Sequence, residues 1–307
     1  MPVCVVVAVN ATSVARAVTI AGSDSGGGGG IEADVKTFLG CGVHGSVVVT
    51  AVTAQNSIGV SGFYEIPPDG VLAQLHAVLD DIGTDAVKTG MLASAAIINA
   101  VAEALPLGSV PIVVDPIAAS KHGDPLLRED ALAALRDRLV PMATVVTPNL
   151  AEARLLTGLE ITNRDEQIEA ARRVRALGPA WVLVTGGRLA DADARDVLFD
   201  GHHVHEVTAP RTDTAHVHGS GDTLAGAITA GLAQGLSVPD AVATAKDYVT
   251  QAIAASYPLG AGIGPVGHAW RLATSRTEPD DHDQRSNGSA MTSPARNRGS
   301  STGNRPG

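Results

Sequence analysis

Asp222 follows Gly219-Ser220-Gly221 and precedes Thr223 and the apolar run Leu224-Ala225-Gly226-Ala227-Ile228, so a carboxylate stands where a small-residue turn enters a helix. At such a start the first amides have no intrahelical acceptor, the helix dipole is positive, and glycine lets a phosphate approach the backbone. The chemistry this spacing suits is a phosphoryl group held by the amides of Gly219, Ser220 and Gly221 while Asp222 accepts a proton beside it. A plain Ser/Asp helix cap accounts for the same five residues, and such caps are common.

A second glycine-rich segment shifts the balance. Ala21-Gly22-Ser23-Asp24-Ser25 is followed by Gly26 to Gly30 and then by Ile31-Glu32-Ala33-Asp34. It is wedged between a strand pattern and a helix pattern, which is not where a flexible linker belongs, and open α/β sheets place ligands at that end of a strand. The run fits no GxGxxG register, and the chain contains no GxxxxGK[ST], so the dinucleotide fingerprint and the P-loop are both excluded.

Further polar residues fall at the same ends of other strands: Gln55-Asn56, Thr89-Gly90-Met91, Asp115-Pro116 and Thr147-Pro148-Asn149. Residues at the carboxyl edge of a parallel sheet converge on one crevice. Asn149 and Glu152 are three apart and read equally well as a capping box or, together with Asp115, as groups ordering the hydration shell of a magnesium ion.

The elements that must position these residues alternate between short Val/Ile-rich runs and longer Ala/Leu-rich stretches, the signature of strand–helix units around a mainly parallel sheet. Strands are expected at 17–21, 46–50, 86–88, 111–115, 144–147 and 181–185, with a hairpin of 196–199 and 203–207 turning at Asp200-Gly201. Helices are expected at 32–39, 69–81, 94–105, 129–139, 150–156, 165–176, 222–234 and 239–255. The segment 55–66, with Gly59, Gly62, Pro67 and Pro68 in or beside it, reads as an excursion off the sheet, a flap or an oligomer contact.

The 307 residues, 45% hydrophobic and 18% charged, suffice for one large α/β domain, and an aromatic content of 3% leaves its core to Val, Ala, Leu and Ile. A net charge of −10 argues against a general nucleic-acid or anionic-membrane binder. Cys4 and Cys41 form no CxxC pair, as expected of a reduced cytoplasmic protein, and the apolar stretch 3–9 is too short to span a bilayer. Residues 1–15 are expected to be a flexible extension, 16–273 a single catalytic domain and 274–307 a disordered tail poor in apolar residues.

Taken in order, several motifs resemble those of the hydroxymethylpyrimidine and phosphomethylpyrimidine kinases of thiamine biosynthesis, in the ribokinase-like superfamily. They are Ala21 to Asp34, Thr53-Ala54-Gln55-Asn56, Lys88-Thr89-Gly90-Met91-Leu92, Asp115-Pro116, Gly123-Asp124-Pro125-Leu126-Leu127, Thr147-Pro148-Asn149-Leu150 and Gly219 to Thr223. The resemblance extends from about Ala17 to Leu272. It implies a three-layer α/β/α sandwich and ATP-dependent phosphorylation, with Mg2+, of 4-amino-5-hydroxymethyl-2-methylpyrimidine and then of its monophosphate.

By the same resemblance, Gly22, Asp34, Gln55 and Met91 hold the pyrimidine and Asp222 is the base. The amides of Gly219, Ser220 and Gly221 hold the transferring phosphoryl group. Asn149, Lys246 and Thr185 belong to the ATP site, and Asp115 and Glu152 to the metal. Lys246 reads equally as a solvated surface lysine, and Met91 as ordinary core. The chain is expected to be a cytoplasmic homodimer that binds small molecules, not nucleic acid or membrane. The alternatives are a pyridoxal or pyridoxine kinase of the same superfamily and a non-catalytic pyrimidine binder.

The chain departs from the family pattern at several points. Asp222 stands where many relatives have Cys, Thr185 where a Lys is usual with Arg188 three residues on, Glu32 where Gln is usual, and Gly26 and Gly29 where Ser and Ala are usual. His202, His203 and His205 match no family role and suit an exposed hairpin with, at most, adventitious metal binding.

Overall fold

The computed structural model describes residues 14–118, 126–127, 130–187, 189 and 192–271. The expected tail, nearly all of the amino-terminal extension, Cys4, Arg188 and the segment Gly123-Asp124-Pro125 lie outside the described residues.

The strands are β1 (Arg16–Ser23), β2 (His44–Gln55), β3 (Val60–Glu65), β4 (Ala86–Thr89), β5 (Ile112–Val114), β6 (Val145–Val146), β7 (Trp181–Val184), β8 (Asp193–Phe199) and β9 (Val204–Pro210). They form one nine-stranded sheet in the order β3-β2-β1-β4-β5-β6-β7-β8-β9. The central strands β2, β1, β4, β5, β6 and β7 pair in parallel, and β3, β8 and β9 add antiparallel edges.

Among the described residues, eight α-helices accompany the sheet: α1 (Gly30–Gly40), α2 (Pro68–Ala77), α3 (Ala95–Ala104), α4 (Ala131–Ala134), α5 (Leu150–Thr157), α6 (Arg164–Arg175), α7 (Ser220–Ala233) and α8 (Val238–Ala254). Strand alternation explains the layers. Ile112, Val114, Val146, Val182 and Val184 point to one face, where α2 to α6 pack, whereas Val113, Val145 and Leu183 meet Leu224 and Ile228 of α7 and Tyr248 of α8 on the other. The result is the expected α/β/α sandwich of the ribokinase-like class.

Three expectations are corrected. The segment 55–66 is not an excursion off the sheet, because β3 pairs antiparallel with β2 from Ala51↔Glu65 to Gln55↔Val60. Asn56 makes the turn, its Oδ1 accepting from the amides of Ile58 at 2.8 Å and Gly59 at 3.3 Å. Phe63 and Tyr64 supply the strand preference that the flanking glycines masked. The expected helix 129–139 is only one α-helical turn, α4, continued as a π-helix over Leu135–Leu139, and the end of the expected helix 69–81 is likewise a π turn, Val78–Ile82.

Candidate active site

The carboxyl ends of β1, β2, β5 and β6 and the amino-terminal end of α7 surround a cavity of about 560 Å³. Of the residues expected at a site, Gly22, Gln55, Met91, Asp115, Asn149 and Glu152 line it, together with Thr185, Lys246 and the whole of Gly219 to Asp222. Asp34 is the exception and is not among the lining residues.

The two glycine segments touch. Gly219 caps α7 with φ of 78°, and a Cβ there would run into the carbonyl oxygen of Gly28. Both the left-handed backbone and the contact exclude a larger residue. From this cap the chain enters the first turn of α7, so the carboxylate of Asp222 and the amides beside it face the loop 24–30.

That loop is organised by Asp24, which is buried. Its Oδ2 accepts from the amides of Gly29 at 2.7 Å and Gly28 at 3.0 Å, and its Oδ1 from Gly26 at 2.8 Å. His218 Nε2 lies 2.7 Å from Asp24 Oδ2 and so ties this loop to the turn before α7. Burial works against the charge of Asp24, yet the His218 bond and the glycine amides hold it below the ordinary carboxylate range. Glu32 secures the other side of the loop, accepting from the Asp24 amide at 2.7 Å and from Ser23 Oγ at 2.8 Å.

Beneath Asp222 sits Lys88 on β4, fully buried. Its Nζ lies 2.8 Å from Asp34 Oδ1 and 3.3 Å from Asp222 Oδ1. Burial alone would drive this lysine toward neutrality, but Asp34, Asp222 and Asp115 together raise its pKa above the ordinary value. Asp34, expected at the pyrimidine, is instead occupied by Lys88 and by Thr19 Oγ1 at 2.6 Å, and burial pushes its pKa up against the pull of Lys88. Only Asp222 of the pair reaches the cavity. Lys88 holds its Oδ1, while its Oδ2 faces Gly29, 3.3 Å from where a Cβ would stand.

Asp115 and Glu152 form an acidic wall of the same cavity, with Asp115 Oδ2 4.0 Å from where a Cβ on Gly221 would stand. Burial pushes Asp115 up to about 7 and Glu152 well above its ordinary range, and each is close enough to other carboxylates for repulsion to add to the effect. Asp115 Oδ1 accepts from Thr147 Oγ1 at 3.3 Å, but its buried Oδ2 has no hydrogen-bond partner. A buried carboxylate oxygen left without a proton donor is suited to a cation. Asn149 and Glu152 form the capping box: Asn149 Oδ1 accepts from the amides of Ala151 at 2.9 Å and Glu152 at 3.1 Å, and Glu152 Oε2 accepts from Asn149 N at 2.9 Å. Among the described residues no group of three or more His, Cys, Asp or Glu side chains is arranged to hold a metal. Two carboxylates nevertheless suit magnesium, which takes the rest of its shell from water and phosphate oxygens.

Lys246 is not a solvated surface lysine. It is buried and donates to Asp196 Oδ2 at 2.6 Å, and Asp196 Oδ1 accepts from Gly186 N at 2.9 Å. Asp196 therefore offsets the positive charge expected at the nucleotide. Thr185 lies beside this pair, its amide bonded to the Pro148 carbonyl at 3.0 Å. Arg211, unremarked in the sequence, lines the same end of the cavity and braces the loop after β7 through the carbonyls of Gly187 and Leu189, each at 2.6 Å. His203 lies 3.2 Å from Asp200 on the β8–β9 hairpin, far along the sheet from the cavity lining.

Asp24, Lys88 and His218, like Asp196 and Arg211, carry no site role in the sequence reading. A signal existed for Lys88, since a lysine inside the apolar run Ala86-Val87-Lys88 of a central parallel strand requires a carboxylate partner.

A ribokinase-like sandwich with a carboxylate and bare amides at one helix start, facing a glycine loop and an acidic pair across one cavity, defines a small-molecule phosphotransferase. The family model for phosphomethylpyrimidine kinase matches residues 24–267. A hydroxymethylpyrimidine/phosphomethylpyrimidine kinase of Streptomyces coelicolor is 56% identical over 254 residues, covering 83% of this chain and 94% of that one. Among solved structures, a Bacillus subtilis pyridoxal kinase in complex with ADP superposes with a TM-score of 0.78 at 39% identity, over 85% of this chain and 100% of the other. A phosphomethylpyrimidine kinase of Clostridium difficile gives a TM-score of 0.69 at 38% identity, over 78% and 100%. The chain belongs to the phosphomethylpyrimidine kinase family.

Proposed function

We propose that this protein transfers the γ-phosphoryl group of ATP to the hydroxymethyl oxygen of 4-amino-5-hydroxymethyl-2-methylpyrimidine, and then to the resulting monophosphate. The observation that carries this is the placement of Asp222 Oδ2 toward the glycine loop while Lys88 holds Oδ1, at the head of a helix whose first amides can receive a phosphoryl group.

In the first reaction the hydroxymethyl oxygen attacks the γ-phosphorus, its proton passes to Asp222, and the bond to the β-bridging oxygen breaks with ADP leaving. The amides of Gly219, Ser220 and Gly221 stabilise the charge on the transferring group. Asp115 and Glu152 would hold magnesium, which neutralises phosphate charge. Gly22, Gln55 and Met91 flank the pyrimidine, and the missing Cβ of Gly22 lets Met91 pack against the backbone, since a Cβ there would meet Met91 Sδ at 3.0 Å. Thr185, Asn149 and the Lys246–Asp196 pair border the nucleotide.

The solved structure of a pyridoxal kinase at TM-score 0.78 supports a second reading, in which pyridoxal or pyridoxine is the acceptor. Parallel assays with Mg-ATP and both acceptor classes, with the products identified, test the choice; turnover of pyridoxal alone would reject the pyrimidine reading. We also propose a cytoplasmic homodimer. Support comes from Val52 and Tyr64, cross-strand partners that are 44% and 74% exposed on the edge hairpin. Sedimentation at assay concentration tests this, and a monomer would reject it. Among the described residues no helix is long and apolar enough to cross a membrane.

A further inference from the structure

We propose that Asp222 serves only the first of the two phosphorylations, so that the second proceeds without a protein base. This rests on the two-step pyrimidine reading and on what each acceptor brings to the same cavity.

An alcohol must lose its proton as it becomes a nucleophile, and Asp222 Oδ2 is the carboxylate oxygen left toward the glycine loop once Lys88 has taken Oδ1 at 3.3 Å. The monophosphate differs. A phosphate monoester has its second pKa near about 6 and at neutral pH already presents an anionic oxygen. In the second step that oxygen forms the new bond to the γ-phosphorus, the bond to the β-bridging oxygen breaks, and the electron pair leaves with ADP. No proton is released by the acceptor, so there is nothing for Asp222 to accept.

The charges near Asp222 point the same way. Of the lining side chains, Asp24, Asp115, Glu152, Asp196 and Asp222 are acidic; of the cations, Lys246 is bonded to Asp196, His218 to Asp24, Arg211 to the carbonyls of Gly187 and Leu189, and Lys88 beneath the cavity is shared between Asp34 and Asp222. A dianionic acceptor beside the Asp222 carboxylate meets like charge that the neutral alcohol does not. Replacing Asp222 by an uncharged residue therefore removes the proton acceptor from the first reaction and a repulsion from the second.

The test is the ratio of kcat/KM for the monophosphate to kcat/KM for the alcohol, each measured with Mg-ATP on one preparation of the full chain. Wild type, Asp222→Asn and Asp222→Ser are compared. Because both values come from the same preparation, any inactive fraction cancels, and the serine variant stands in if the asparagine variant does not fold. General-base removal costs about 10²–10⁴-fold, so the ratio should rise at least about a hundredfold in both variants. Equal losses on the two acceptors would overturn the inference while leaving the pyrimidine reading intact. Wild type that phosphorylates neither pyrimidine would instead reject the reading on which the inference rests.

Discussion

Lys88 Nζ lies 2.8 Å from Asp34 Oδ1, with both side chains sealed from solvent, and the same ammonium reaches Asp222 at 3.3 Å. One buried cation thus holds together a sealed carboxylate and the one proposed as the base. Removing it by Lys88→Met leaves the sealed Asp34 carboxylate without a counter-charge, which costs about 3–5 kcal/mol. Urea unfolding should register this loss, and adding Asp34→Asn to Lys88→Met should recover part of it. A double variant no more stable than Lys88→Met would show that the two do not form a coupled pair.

Asp24 gathers three glycine amides and His218 Nε2. Asp24→Ala leaves those donors without their acceptor and frees the loop from the turn before α7. Stability should fall by about 1–3 kcal/mol. The kcat/KM for the acceptor should fall by about 10–100-fold, the rate equivalent of a similar free energy. Asp24→Asn keeps an acceptor oxygen and should be less damaging, a ranking that steady-state kinetics on both variants will check.

His268 is buried against Thr223, its Nε2 3.0 Å from Thr223 Oγ1, and burial, with Lys36 adding, lowers it to about 4. The folded pKa is below the ordinary value of about 6.5, so on acidification the unfolded chain binds the proton first. Stability due to this group is therefore complete above about pH 6.5 and declines as pH falls toward 4, by up to about 3 kcal/mol. His268→Gln should flatten that part of the pH–stability curve relative to wild type. Parallel curves for the two proteins would contradict the assignment.

Asp115 keeps one buried oxygen without a partner. If that oxygen receives magnesium, Asp115→Asn should raise the concentration of Mg2+ giving half-maximal activity by about tenfold or more, the loss of one charge-assisted ligand. A magnesium titration at saturating ATP reads this directly. An unchanged midpoint would place the cation elsewhere.

The sequence made the sheet legible because buried parallel strands read as short β-branched runs, whereas the split of Val113 from Ile112 and Val114 onto opposite faces is seen only in the structure, since all three residues are apolar. It failed at β3, where Gly59, Gly62, Pro67 and Pro68 imitate a loop although Val60, Phe63 and Tyr64 prefer a strand. The cavity lining was legible where a polar residue coincided with a strand end, as at Gln55 and Asp115, or with a helix start, as at Asp222. It was not legible where function depends on pairing across the chain. Asp24 and His218 are 194 residues apart, and neither Asp34 nor Lys246 reveals in sequence that its charge is taken by Lys88 or Asp196.

The central claim is tested most directly by incubating the purified chain with Mg-ATP and, separately, 4-amino-5-hydroxymethyl-2-methylpyrimidine, its monophosphate and pyridoxal, with products identified by phosphorus NMR and mass spectrometry. The proposed function predicts pyrimidine monophosphate from the first acceptor and diphosphate from the second. Phosphorylation of pyridoxal with no product from either pyrimidine would contradict it.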